Sequence, residues 1–74
     1  MHEYRGYVFA IGSEADDGMY SVDYPDVPDI ITSGATLAEA FANACEALDL
    51  HLESLTQLGL PAPRSRHRLV VEPV

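Results

Sequence analysis

Seventy-four residues, 47% of them apolar and only 22% charged, make one domain with a core to build, which excludes a disordered chain and leaves no room for a second core. Twelve acids stand against four arginines and no lysine, a net charge of −8, which argues against nucleic acid as a direct ligand and permits a basic protein partner, although an acidic surface also serves solubility alone. The single cysteine, Cys45, cannot close an internal disulfide, no run approaches the ~20 apolar residues of a membrane span, and "MHEYRGYVFAIG" lacks the basic flank and long apolar run of a signal peptide, so the expected location is cytoplasmic.

In chain order, "YRGYVFAI" over residues 4–11 is aromatic and β-branched, with apolar side chains on both faces, as in an interior strand. The pair Asp17-Gly18 then predicts a turn into "MYSVDY". There Tyr20, Val22 and Tyr24 point one way and Ser21 and Asp23 the other, so these two strands read as an antiparallel hairpin. Pro25 and Pro28 lack backbone N–H groups and force "DYPDVPDI" to turn or bulge before "DIITS" resumes as a short third strand.

Thr36 followed three residues later by Glu39 predicts a capped helix start. From there Leu37, Phe41, Ala44, Leu48, Leu52 and Leu55 recur at spacings of three and four, one apolar stripe along a helix that ends near Leu58, before Gly59 and Pro61. A stiff "PAPRSR" connector leads to a closing strand, "HRLVVEP". The element order is β-β-β-α-β in an α+β fold. With the crossover strand returning beside the first, the expected sheet is four-stranded, mostly antiparallel and of order 3-2-1-4, roofed on one face by the helix. The uncovered face and edges predict a homodimer or higher oligomer.

The acids of residues 14–29 carry the candidate site. Asp23, Asp26 and Asp29 recur every third residue with prolines between, which does not match the ligand pattern of a calcium loop, and no metal or other cofactor is expected. Asp17 and Asp23 show no sign of converging as a hydrolytic pair. Cys45 and His51 lie at the margins of the helix stripe, where packing or partial solvent contact is expected, so no catalytic residue is assigned. Glu39, Glu46, Asp49 and Glu53 line the outer helix face with Leu50 among them and no basic residue to pair with. Arg64, Arg66 and Arg68 cluster before the closing strand.

The stretch "DDGMYSVDYPDVPDIITSGATLAEAFANACEALDLHLE", behind a tyrosine-rich first strand, resembles the HicB-type antitoxins of bacterial toxin-antitoxin pairs. The resemblance covers about residues 4–60 and rests on the "YPDVP" turn, the "TSGAT" helix entry and the "EAFANACEALDLHLE" helix, in order. It implies a partial RNase H-like fold without catalysis, and neutralisation of a small basic HicA-type toxin that cleaves mRNA. Asp29 stands where that family usually has glycine. Many members continue into a helix-turn-helix or ribbon-helix-helix domain, whereas a single domain over residues 1–74 with no separate DNA-binding unit is expected here. Asp16, Asp17, Asp23, Tyr24, Asp26 and Asp29 form the expected protein-binding surface. The alternative is an orphan oligomerisation module with no toxin.

Overall fold

A computed structural model describes residues 1–13 and 18–68. The strands are β1 (His2–Tyr4), β2 (Tyr7–Ser13), β3 (Tyr20–Asp23) and β4 (Thr32–Gly34), followed by one helix, α1 (Leu37–Gln57).

The predicted single strand over residues 4–11 is therefore two. Arg5 (φ 52°) and Gly6 (φ 85°) both adopt left-handed backbone, and Tyr4 pairs with Tyr7 across them, which is the geometry of a two-residue hairpin turn. The sheet runs antiparallel throughout in the order β1-β2-β3-β4, which corrects the expected 3-2-1-4. The outer neighbour of β2 is the strand that precedes it. A hairpin closed by two residues orders far less chain than a crossover through a helix, so local pairing takes that edge. Of the expected closing strand, residues 69–73 lie outside the described residues, and His67 and Arg68 are in no strand.

Beneath α1 lie Tyr7, Phe9 and Val22 from the sheet and Tyr24, Val27 and Ile30 from the loop after β3, packed on Ala40, Ala44 and Leu48. Phe9 is the hub of the aromatic contacts, with ring centroids 5.2 Å from His2, 5.0 Å from Tyr24 and 5.4 Å from Phe41. The register places Glu3, Val8, Ala10, Gly12, Ser21, Asp23 and Ser33 on the other face. Each of these residues is small or polar except Val8, which is fully buried.

The helix starts where expected: Thr36 Oγ1 accepts from the Glu39 N–H at 3.0 Å. At its end the Gly59 N–H donates to Thr56 O at 3.1 Å and the Leu60 N–H to Leu55 O at 2.9 Å, with Gly59 at φ 72°, a Schellman cap. The closest approach of helix to sheet is at small residues. A Cβ on Gly34 would stand 2.4 Å from the Ala40 nitrogen, so β4 and the first turn of α1 touch backbone to backbone. Ala40 is buried for that reason, while the bulkier Leu37 and Phe41, expected in the stripe, stay exposed.

Candidate functional site

The stretch Tyr24–Pro25–Asp26–Val27–Pro28–Asp29–Ile30 folds as two consecutive turns that share Val27. The Val27 N–H donates to Tyr24 O at 3.1 Å, and the Ile30 N–H donates to Val27 O at 3.1 Å. Each turn has proline at its second position, where the fixed φ suits it, and aspartate at its third. The repeat of three drives Tyr24, Val27 and Ile30 into the core, while Pro25, Pro28 and Asp29 are exposed. Spacing that looks like a ligand set is thus a turn set.

The six residues expected to form the protein-binding surface separate by role. Asp16 and Asp17 lie outside the described residues. Asp23, at the end of β3, and Asp29, in the second turn, are exposed and form no ion pair among the described residues. Tyr24 faces inward: it is 1% exposed, and its hydroxyl donates to Ala44 O of the helix at 2.8 Å. Burial, with the Cys45 thiol and the Asp49 carboxylate nearby, pushes its phenol well above the ordinary tyrosine value. Tyr24 therefore anchors the loop and offers no ring to a partner.

Asp26 turns back onto its own chain. One carboxylate oxygen accepts from the Arg66 N–H at 2.7 Å and the His67 N–H at 3.0 Å, and the other stands 2.7 Å from His67 Nδ1. Burial alone would raise its pKa. The N–H of Arg66, the His67 ring and the His67 N–H outweigh that and hold the carboxyl below the ordinary value. An ionised carboxylate only accepts, so Nδ1 carries the proton. The same returning segment is fixed by Tyr7, whose hydroxyl donates to Pro63 O at 2.5 Å, and by Ser65 Oγ on Gly6 O at 2.6 Å. The arginine-bearing connector thus lies against the acidic turn through its backbone.

The outer face of α1 is partly neutralised by the hairpin. Asp49 accepts from Arg5 at 2.9 Å and from the Tyr4 hydroxyl at 2.9 Å, and these two donors hold its carboxyl low. Glu46 and Glu53 have no such partner among the described residues. Between them Leu50 borders a groove of about 350 Å³ lined also by Asp29, Ile31, Ala47, His51 and Ser54. Ile31 is 93% exposed and Leu50 58%. Leu50 was visible in the sequence as an apolar residue among acids, whereas Ile31 sits inside a short β-branched run that reads as strand interior and gives no such sign. Among the described residues no three His, Cys, Asp or Glu side chains converge as a metal cage would, and no helix is long and apolar enough to cross a membrane.

A four-stranded antiparallel sheet under one long helix, with acids and an apolar groove at the surface, defines a small α+β domain. Residues 7–72 match the model of the HicB-like antitoxin of bacterial toxin-antitoxin systems, and the chain belongs to that family. It is 36% identical over 62 residues to antitoxin HicB of Escherichia coli K12, a match spanning 78% of this chain and 45% of that protein. It is 40% identical over 52 residues to a 14.9 kDa protein of Haemophilus phage HP1, across 70% of this chain and 38% of that one. The N-terminal domain of Burkholderia pseudomallei antitoxin HicB has the same fold, with a TM-score of 0.75 at 29% identity over 84% of this chain and 72% of that domain. The chain spans less than half the length of these curated relatives from Escherichia coli and phage HP1.

Proposed function

We propose that this chain acts as a non-catalytic antitoxin in the cytoplasm, neutralising a small basic HicA-type mRNA-cleaving toxin by binding it. Reading the fold as a partial RNase H-like unit that binds and does not hydrolyse belongs to the same proposal. The observation that carries it is the double turn. In an antitoxin family, it anchors Tyr24, Val27 and Ile30 in the core and holds Asp29 outward, close in sequence to the exposed Asp23. Unpaired carboxylates on a stiff support steer a basic partner and fix its register. Asp16 and Asp17 add two more acids to the same part of the sequence and are proposed to take part in that binding. Asp26 contributes by fixing the loop.

The test is co-expression with a small basic HicA-type toxin, taken from the adjacent reading frame where one is encoded there, followed by pull-down and a binding isotherm. Wild-type protein is expected to form a stable complex, and Asp23→Lys with Asp29→Lys to weaken it and reduce its salt dependence. Unchanged affinity and unchanged salt dependence in that double variant would remove the acidic surface from the proposal.

Self-association as a homodimer or higher oligomer is also proposed, supported by Leu37 and Phe41 standing exposed on the first turns of α1. Light scattering that returned the monomer mass of 8.1 kDa at micromolar concentration would contradict it.

A further inference from the structure

We infer that the groove between Ile31 and the outer side of α1 is a docking site for a basic amphipathic segment of the protein partner, one that presents an apolar side chain between lysines or arginines. This rests on the proposed antitoxin function and says where and how the partner is held.

Two independent features of the groove point to that chemistry. Its floor and walls are apolar at Ile31, Ala47 and Leu50, and Ile31 at 93% exposed is a β-branched side chain held almost entirely in water. Covering it removes apolar surface from solvent at about 25 cal/mol per Å². One acid, Asp29, lines it directly beside His51 and Ser54. Glu46 and Glu53 lie outside its lining, four residues before and three after Leu50, one helical turn along the helix to either side. None of these three acids forms an ion pair among the described residues, and the groove lining contains no arginine. An apolar centre with an acid at its edge and two more along the same helix selects a basic segment with an apolar middle.

A second copy of this chain fits poorly. In a two-fold contact the same patch meets itself, so the acids Asp29, Glu46 and Glu53 of one copy would be brought against the acidic patch of the other. Like charges brought together at an interface select against that partner. Self-association therefore uses another surface.

The test keeps charge and apolar contact separate. The probe is a small basic HicA-type toxin, titrated into the 74-residue protein by isothermal calorimetry. The double variant I31A/L50A keeps every charge, and both side chains are exposed, so its thermal melt is expected to follow wild type. Its affinity is expected to fall by about thirtyfold, the loss typical of removing central apolar contacts. The variant E46Q/E53Q is expected to bind more weakly and with a shallower salt dependence. Affinity unchanged in I31A/L50A but reduced in Asp23→Lys with Asp29→Lys overturns the groove and leaves the antitoxin function standing. No binding by wild type overturns both. Self-association weakened by I31A/L50A, with the basic protein still bound at wild-type strength, assigns the groove to a second copy and also overturns the inference.

Discussion

Tyr24 and Asp26 are two residues apart and do opposite things with their polar atoms. Tyr24 takes its hydroxyl into the core, onto a helix carbonyl. Replacing it with phenylalanine keeps the ring in place and leaves Ala44 O to its helical bond. Tyr24→Phe is thus expected to cost about 0.5–1 kcal/mol, the low end for a lost neutral hydrogen bond. Thermal unfolding checks it, with about 4–8 °C expected per kcal/mol in a domain this size. Asp26 and Asp49 give an acid limb. Both carboxyls are held below the ordinary aspartate value of 3.8, so their contribution is complete above that pH and disappears as pH falls through the folded-state values. Urea midpoints measured from neutral pH downward are expected to drop below about pH 4 in wild type and to drop less in a double Asp26→Asn, Asp49→Asn variant. Amide exchange at Arg66 and His67 is expected to quicken in Asp26→Asn alone, since their acceptor has lost its charge.

Among the elements, the contact of β4 with the first turn of α1 sets the position of the whole helix. Gly34→Ala would drive a methyl group into the Ala40 backbone, which no rotamer change relieves. The strand and helix must part, at an expected cost of about 2–3 kcal/mol, the upper range for overpacking. Thr36→Ala, which removes only the cap acceptor, is expected to cost about 1 kcal/mol. Equilibrium denaturation of the two variants should rank them in that order. The helix was legible in the sequence at both ends, because caps are local: a hydroxyl three residues ahead of Glu39 and a glycine after Leu58 act without reference to the rest of the chain. The alternation of Tyr20, Val22 and Tyr24 was legible for the same reason. The β1–β2 hairpin was not. Its turn is Arg5-Gly6, and arginine carries none of the left-handed preference of asparagine or aspartate. Its pairing with Asp49, 44 residues away, becomes visible only in three dimensions. The burial of Ala40 ahead of Phe41 was hidden too, because a stripe read by side-chain size cannot register a backbone contact made through Gly34.

At the scale of the molecule, charge and apolar surface divide the labour in the proposed complex, and the division is measurable in rates. The acidic composition was plain from the sequence and so was the loop that carries Asp29, but the apolar partner of that charge, Ile31 against Leu50, needed the fold to bring residues 19 positions apart together. With a net charge of −8, the chain should attract a basic protein over distances set by the Debye length, about 10 Å at 0.1 M salt and 3 Å at 1 M. The association rate is therefore expected to fall by about tenfold or more across that range, as steered encounters do. In the proposed complex the apolar centre of the groove, Ile31 with Leu50, is a short-range contact that salt does not screen, so the dissociation rate should change less with salt than the association rate does and should rise in I31A/L50A. Stopped-flow association and dissociation at several salt concentrations resolve the two. Salt dependence carried by the dissociation rate would mean that ion pairs, and not the covered isoleucine and leucine, hold the complex together.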